Sequence, residues 1–251
     1  MEKFIDINII QNATLYNFII YFMIYSFIGW IVESTFKSFL EKKIVNSGFL
    51  NGPFIPIYGV GALLIIIFMT PLKENIVLLF LCGFVFMTIF EYIVGCAMEK
   101  LFNMKWWDYT GNLLNINGRV CLENSIYWGA LSVFLITFFH PEIQGLVSML
   151  PNELGQIFII IFAIYFISDY TLTIVDLFNL QEKVRSLEYF NIIAEKSKLQ
   201  IENLEELKNN IVKKSRRLLK VYPKLTYLKV NRSLREVVND IKHNISNNIK
   251  M

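Results

Sequence analysis

Long apolar blocks alternate with short polar segments along the first two thirds of the chain, and the last third is polar. The apolar blocks lie at about residues 15–36, 54–69, 76–97, 121–139 and 157–178. Each is long enough, or nearly so, to cross a bilayer, which takes about 20 residues. The pattern predicts an all-α polytopic membrane helix bundle of about five spans over residues 1–179, followed by a helical tail over residues 180–251.

Composition supports a membrane protein, because 55% of the residues are hydrophobic and they occur in blocks rather than in short periodic runs. Cys82, Cys96 and Cys121 fall in or beside these blocks, at spacings that fit neither a disulfide framework nor a zinc site. We therefore expect them to be small buried side chains, and we expect no metal and no cofactor. The chain start lacks the basic region and cleavage site of a signal peptide, so the first block is expected to stay as an anchor.

The distribution of basic residues predicts the orientation of the spans, since Lys and Arg are enriched in inner loops. The tail over residues 180–251 holds 16 Lys or Arg against 8 Asp or Glu. No Lys or Arg occurs between Val120 and Glu182, a stretch that includes the predicted fourth loop, residues 140–156. An outside N-terminus and a cytoplasmic C-terminus satisfy every loop. The first and third loops are the basic ones, with Lys37, Lys42 and Lys43 in one and Lys100, Lys105 and Arg119 in the other.

Four acidic residues interrupt the apolar blocks, namely Glu33, Glu91, Glu123 and Asp169. A charge at the middle of a bilayer costs about 2.5–3.5 kcal/mol even on the mildest scale, so such residues usually face a protein interior or a wet cavity. The topology gathers them in the inner half of the membrane, which predicts one polar site facing the cytoplasm. Glu33 near a span end also fits a headgroup position, and a structural ion pair or a protonated carboxyl satisfies the physics of the deeper acids equally well. Arg119 stands four residues before Glu123 and is placed to pair with it.

The segment over residues 48–61 combines four glycines with Pro53 and Pro56. Non-helical backbone at membrane depth is tolerated only where protein or a water-filled cavity covers it. One interpretation is a broken or re-entrant entry into the second span, which would make this segment a candidate site. The other is an ordinary helix start with proline in its first turn.

The third loop is rich in aromatic and hydrogen-bonding side chains. Trp106, Trp107 and Tyr109 are typical of the membrane–water interface. The same loop also holds Asp108, Asn115, Asn117 and Arg119, an unusual density of polar groups for so short a loop.

Four segments together resemble the bacterial family called putative ABC-transporter type IV permeases. They are residues 25–33, residues 48–61, residues 90–92, and residues 107–109 with 115–119, and the resemblance covers roughly residues 18–176. It implies a multi-pass protein of the bacterial cell membrane with a permease role, whose ATPase would be a separate subunit. The residues that match the motifs are Gly29, Trp30, Glu33, Gly52, Pro53, Pro56, Tyr58, Gly59, Glu91, Trp107, Asp108, Tyr109, Asn117, Gly118 and Arg119.

In the tail, apolar residues recur at three- to four-residue steps from Leu180 to Ile211. This spacing predicts one or two amphipathic helices, with a short coiled coil or dimer contact. Residues 213–220 form a basic patch, which is either a solvated face or a surface for anionic lipids. No recognition motif accompanies this charge, so we expect no nucleic-acid partner.

The sequence is compatible with three classes of function: a transport subunit, a membrane scaffold and an enzyme. A transport subunit fits the broken-helix and intramembrane-acid signals, and the absence of a phosphate-binding loop sequence means that a separate ATPase would supply the energy. Five spans are few for a complete pathway, which implies a homo-oligomer or another partner. A membrane scaffold acting through its tail is the alternative. An enzyme ranks last, because His140 and His243 are the only histidines and no catalytic motif is present.

Overall fold

Helices account for most of the chain in the structure, a computed structural model that describes residues 15–197, 226–227 and 232–233. The predominantly helical class predicted from the sequence is confirmed. The elements are α1 (Leu15–Glu41), α2 (Pro56–Met69), a 3-10 turn (Thr70–Leu72), α3 (Ile76–Phe102), β1 (Met104–Lys105), α4 (Leu122–Phe134), a π-helical turn (Leu135–Phe139), α5 (His140–Ser148), α6 (Asn152–Ser197), β2 (Thr226–Tyr227) and β3 (Arg232–Ser233).

Among the described residues, four helices are long and apolar enough to cross a membrane. They are Leu15–Glu41, Ile76–Phe102, Leu122–Ser148 and Asn152–Asn179, and Pro56–Leu72 is a shorter apolar helix. The second apolar block of the sequence therefore forms a helix that is shorter than the other four.

The predicted loop that begins at His140 is wrong. The fourth helix continues through the π-helical turn to Ser148. His140 is a buried residue of this helix, and its Nδ1 atom lies 2.9 Å from the hydroxyl of Tyr25. The apolar block was predicted to end at Phe139 because a polar His-Pro-Glu sequence follows it. The helix nevertheless continues, since proline is compatible with the first turn of α5.

Residues 42–55 fold back along α1 without forming a helix, and we call them the re-entrant segment for this return along the helix alone. The Val45 amide donates to the Ser38 hydroxyl at 2.9 Å, and the Ser47 amide donates to the Ser34 hydroxyl at 3.0 Å. Further on, the Ile55 amide donates to the Ser26 carbonyl at 3.0 Å. Ser26 precedes the end of α1 by 15 residues, so the segment returns about 22 Å along the helix.

Helix α2 begins where the re-entrant segment ends and runs antiparallel to α1. Pro56 is its first residue, where the missing proline N–H leaves no hydrogen bond unmade. The ring of Tyr58 packs on Gly29, and Gly59 packs on Ser26 and Phe22. Both glycines permit an approach that a Cβ atom would block. The second apolar block, residues 54–69, is thus helical from Pro56 onward, and the non-helical segment largely precedes it.

One face of α3 is buried and the opposite face is apolar and exposed. Buried residues recur at four-residue steps, and the exposed ones lie between them, as expected for a helix that packs on one side and meets lipid on the other. The buried set is Leu79, Gly83, Met87 and Glu91, and the exposed set is Leu81, Val85, Ile89 and Ile93.

The chain divides into two units. The first takes its described residues from 15–94 and 109–170, and its core contains Tyr25 of α1, Ile65 of α2, Met87 of α3 and Leu135 of the π-helical turn.

The second unit comprises residues 95–108 and those from 171 onward. Its strands form a small antiparallel sheet in the order β1-β2-β3, which the sequence did not predict. Phe102 packs edge-on against Trp106 and also meets Phe178. Helix α6 continues into the tail as far as Ser197. The remainder of the predicted coiled-coil region, residues 198–211, and the basic patch at 213–220 lie outside the described residues.

Substitution of Gly59 tests the close packing of α1 and α2. A Cβ atom at Gly59 would overlap the Ser26 hydroxyl and lie 2.8 Å from the Phe22 carbonyl oxygen. We expect Gly59→Ala to lower the free energy of unfolding by about 1–3 kcal/mol, because overpacking forces the helices apart. Thermal or denaturant unfolding in detergent micelles measures this change.

Gly145→Ala is the matched control, because a Cβ atom at Gly145 in α5 would meet no atom within 4 Å. Alanine is a better helix former than glycine by about 1 kcal/mol, so this variant should be as stable as the native protein or more stable. Equal losses of stability in the two variants would contradict close packing as the cause.

Candidate functional site

Three acidic residues of the first unit lie at a common depth. Glu33, Glu91 and Asp169 follow the first residues of α1, α3 and α6 by 18, 15 and 17 residues. At 1.5 Å per residue they are about 22–27 Å from the end of the bundle where these helices begin. We call these acids and the side chains bonded to them the polar layer.

The beginnings of these helices belong to the same end of the bundle. The hydroxyl of Tyr16 in α1 packs against Gly155 in α6. Helix α2 returns toward the start of α1, and only residues 70–75 separate it from α3. The similar spacings along the three helices therefore correspond to similar heights in the bundle, within about 5 Å.

Asp169 binds the backbone of the re-entrant segment with both carboxylate oxygens. Its Oδ1 accepts the Asn51 N–H at 3.1 Å, and its Oδ2 accepts the Gly52 N–H at 2.8 Å. The Asp169 side chain is buried. These two amides have no partner within a helix. Because an unpaired backbone N–H group within a membrane costs several kcal/mol, the two bonds to one carboxylate stabilise the segment.

Gly52 is needed at this contact because its backbone lies directly against α6. A Cβ atom at this position would overlap the Tyr165 hydroxyl and lie 2.8 Å from Asp169 Oδ2. Next to it, Pro53 has no N–H to satisfy, and the Phe54 N–H donates to the Gly52 carbonyl at 2.9 Å. The Gly-Pro pair thus keeps the number of amides that need partners small.

Glu33 binds the re-entrant segment from the side of α1. Its Oε1 accepts the Ser47 hydroxyl at 2.8 Å and pairs with Lys37 Nζ at 2.8 Å, one turn closer to the helix end. Nearby, the Trp30 indole donates to the Asn46 side chain at 2.6 Å. The half-buried Glu33 side chain therefore connects α1 to the re-entrant segment and forms an ion pair with Lys37.

Glu91 is held by neutral donors. Its Oε1 accepts the Asn124 amide at 2.8 Å and the Tyr109 hydroxyl at 3.4 Å, and its Oε2 accepts the Trp128 indole at 3.1 Å. The side chain is 5% exposed, and no basic side chain within the described part of the chain pairs with it. The arrangement suits an ionised carboxylate, which only accepts hydrogen bonds.

Tyr109 is fixed as a donor in this group. It lies outside the spanning helices, and burial together with the nearby Glu91 carboxylate raises its pKa, so the hydroxyl keeps its proton. The Asn124 amide also donates to the Tyr109 oxygen, at 2.6 Å.

Tyr58 joins Glu33 and Glu91 into one polar layer. Its hydroxyl lies close enough to Glu33, and also to Tyr109 and Glu91, to interact with them electrostatically. Because Tyr58 occupies the first turn of α2, the polar layer lies where the re-entrant segment becomes helix.

Arg119 and Glu123 are engaged separately rather than with each other. Arg119 donates to the Tyr92 hydroxyl at 3.0 Å and its guanidinium carbon lies 5.1 Å from the centre of that ring. Glu123 is exposed and accepts the Tyr127 hydroxyl at 3.0 Å. Of the predicted site residues, the structure thus brings Glu33, Glu91 and Asp169 into the polar layer and leaves Glu123 outside it.

The motif residues of the third loop shape its turn. Asn117 and Gly118 both have positive φ, at 54° and 69°, a conformation that favours these residue types. Asn117 donates to the Tyr92 hydroxyl at 3.0 Å, and the Tyr109 amide donates to the Gly118 carbonyl at 2.8 Å. In the second unit, Asp108 pairs with Lys105 at 3.6 Å beside a half-buried Trp107.

Sequence reasoning missed Asn124 and Trp128, the strongest partners of Glu91. They lie four residues apart on one face of α4. Asn124 directly follows Glu123, and only the acidic residue of this pair was predicted as a site residue. An uncharged polar residue one turn before a tryptophan, at the start of an apolar block, was the available signal.

The polar layer offers no evident metal centre, since the described residues contain no group of three His, Cys, Asp or Glu side chains able to hold an ion. Its acceptors are already occupied by backbone and side-chain donors. The arrangement holds a non-helical segment against α1 and α6, and this hold can change if a carboxyl group gains a proton or a competing partner.

Comparison with known proteins agrees with the resemblance noted in the sequence. The family model described as "Putative ABC-transporter type IV" matches residues 20–174, which include the whole polar layer. No curated protein and no solved structure matches the chain.

Replacement of Asp169 tests its hold on the re-entrant segment. In Asp169→Asn one oxygen becomes an NH₂ group that faces an amide N–H, so one buried donor loses its acceptor. We expect the free energy of unfolding to fall by about 1–3 kcal/mol. Denaturant unfolding in micelles or nanodiscs measures it.

Ser168→Ala on the same helix is the control, because this exposed hydroxyl donates only to the Ile164 carbonyl of its own helix. Its stability should stay within about 0.5 kcal/mol of the native protein. If Asp169→Asn is as stable as this control, the carboxylate does not hold the segment.

Proposed function

Because the chain belongs to the Putative ABC-transporter type IV family, we propose that it is a permease subunit of a transporter in the bacterial cell membrane. A separate ATPase subunit supplies the energy, since the sequence contains no Gly-x-x-x-x-Gly-Lys-Ser/Thr phosphate-binding loop. The proposed role involves no chemical reaction on the part of this chain. Its substrate is left open.

The re-entrant segment carries this proposal. Transporters commonly place non-helical backbone and a half-helix at the site where the substrate or a coupling ion binds. Here the segment over residues 42–55 precedes the short helix α2, and Glu33, Tyr58 and Asp169 surround the junction. Packing alone does not require three acids at one depth, and each costs free energy to bury.

Movement of the re-entrant segment is the proposed conformational step. The segment is held mainly by hydrogen bonds to side chains of α1 and α6 rather than by a regular ladder. Such a segment can exchange one set of partners for another without unfolding a helix. In the proposal, the ATPase drives this exchange, and the exchange opens and closes the polar layer.

Orientation follows from the basic loops. We propose five crossings, with the re-entrant segment and α2 together making the second, an outside N-terminus and a cytoplasmic C-terminus. The ends of the helices where α1, α3 and α6 begin then face outward, and the polar layer lies toward the cytoplasm. Five crossings per chain are few for a pathway, so a second copy or another membrane subunit completes it.

Co-purification tests the permease assignment. We expect the native chain, isolated from its own membranes in mild detergent, to bring down one soluble ATPase in a fixed ratio, as measured by mass spectrometry of the complex. An unrelated membrane protein of similar size, purified in parallel, is the control. Repeated isolation without any ATPase would contradict the proposal.

Glu91→Gln tests whether the polar layer takes part in the working cycle. Glutamine keeps the shape of the side chain, and its carbonyl oxygen can accept from Asn124 and Tyr109. Its NH₂ group faces the Trp128 indole N–H, which loses its acceptor, and the side chain no longer carries a charge. We expect a folded variant that still binds the ATPase, with ATP hydrolysis by the reconstituted complex reduced roughly 5-fold or more, the lower range of coupling between sites.

Glu123→Gln is the matched control, because this acid is exposed and lies outside the polar layer. It should leave ATP hydrolysis unchanged. If Glu91→Gln instead prevents folding, and the isosteric variants of Glu33 and Asp169 do so as well, the acids serve packing and the scaffold alternative gains support.

The scaffold alternative rests on one observation. Helix α6 does not end with its apolar block but continues as one helix from Asn152 to Ser197. A helix of this length is suited to present the tail to a partner. Deletion of residues 198–251 distinguishes the two functions, because a scaffold loses its partner while a permease keeps its ATPase-bound membrane region.

A further inference from the structure

We propose that the loop between α3 and α4 carries a lipid-binding surface, which we call the apolar cap, and that its partner is the boundary between headgroups and acyl chains of the bilayer. The cap consists of Leu113, Leu114 and Ile116, whose exposed fractions are 73%, 70% and 56%. The inference concerns the membrane itself and is independent of any permease activity.

The cap is presented by an ordered turn rather than by a loose loop. Asn115 donates to the carbonyls of Thr110 and Asn112, both at 3.0 Å, and accepts the Gly118 N–H at 3.2 Å. The Ile116 N–H donates to the Val120 carbonyl at 3.0 Å. These bonds fix the backbone on both sides of the three apolar side chains, so their exposure is built into the turn.

Leu114 adopts a backbone conformation that its residue type disfavours. Its φ is +50°, in the left-handed region that Asn, Asp and Gly occupy far more readily than leucine. Strained positions of this kind cluster where the side chain has a role. A leucine that is both strained and exposed to 70% is poorly explained by a loop that meets only water.

The depth of the loop places the cap at the bilayer rather than beyond it. Asn117 and Arg119 hydrogen-bond Tyr92, which follows Ile76 by 16 residues. The loop thus meets α3 about 24 Å from the start of that helix, whereas the hydrocarbon core is about 30 Å thick. Lys73, Glu74 and Asn75, all exposed, mark the other boundary just before Ile76.

The cap also continues the lipid-facing surface of α4. The Leu122 N–H donates to the Leu113 carbonyl at 3.2 Å, which fixes the cap beside the first turn of that helix. Ile126 and Tyr127 are exposed one turn further on. Arg119, stacked on Tyr92, supplies a positive charge at the same depth, where anionic headgroups lie.

Spin-label accessibility in nanodiscs tests the proposal. Cys82, Cys96 and Cys121 are replaced by alanine, and a nitroxide is attached at Leu114→Cys or, as control, at Gly111→Cys in the same loop, where a side chain meets no atom within 4 Å. The nanodiscs contain phosphatidylethanolamine and phosphatidylglycerol.

The expected result is that oxygen relaxes the label at position 114 more than a water-soluble nickel chelate does, while the chelate dominates at position 111. Dominance of the chelate at position 114 would overturn the proposal, because the cap would then face water. Protection from both reagents would overturn it as well, since the cap would then be covered by protein, either a second copy or an ATPase subunit.

Aspartate substitutions give a second test that keeps all native cysteines. Aspartate tolerates positive φ better than leucine, so in a water-facing loop Leu114→Asp should leave the melting temperature unchanged or raise it. The proposal predicts the opposite sign in nanodiscs, a fall of roughly 2–4 °C. Gly111→Asp should leave it unchanged, and a Leu114→Asp variant that melts at or above the native temperature would overturn the proposal.

Discussion

The two hydrogen bonds from Asn51 and Gly52 to Asp169 are the contact on which the membrane region depends. A chain inside a bilayer must pair its backbone N–H groups within protein, and helices normally do this internally. The re-entrant segment leaves the helix and therefore needs acceptors from elsewhere. Serine hydroxyls and a backbone carbonyl of α1 supply some, and one buried carboxylate of α6 supplies two more. The buried carboxylate of α6 and the non-helical segment that it binds are therefore two parts of one arrangement.

The other two acids differ in what they bind: Glu33 also holds the re-entrant segment, whereas Glu91 binds Tyr109 of the third loop and Asn124 and Trp128 of α4. Glu33 accepts the Ser47 hydroxyl from the re-entrant segment, and Tyr58 at the start of α2 lies between Glu33 and Glu91. The non-helical segment exposes polar backbone beside α1 and α6, and these helices place polar side chains against it. An acidic residue that is unusual in its own apolar helix is thus explained by the polar groups of the neighbouring elements that it binds.

Several features of the fold were predictable because they depend on local composition. Apolar blocks predicted helices, and four motif segments predicted the family, which was confirmed. The predicted loop at His140 was wrong because a histidine bonded to Tyr25 is as acceptable in a helix as in a loop, and only packing decides. The sequence marked Asn124 and Trp128 as a polar pair on one face of α4, but their pairing with Glu91 was not predictable, since it depends on the start of α4 lying beside the middle of α3. Whether the polar layer is a working site stays a prediction.

The chain order of these partners bears on how the protein is made. Asp169 is synthesised after Asn51 and Gly52, so the amides that it binds are already present when α6 leaves the translocon. Glu91 emerges before Tyr109, Asn124 and Trp128, so α3 must hold a carboxyl group without its donors until α4 follows. The polar layer is therefore completed late in synthesis: the Asn51 and Gly52 amides precede their acceptor Asp169 by 118 and 117 residues, and Glu91 precedes its donor Trp128 by 37.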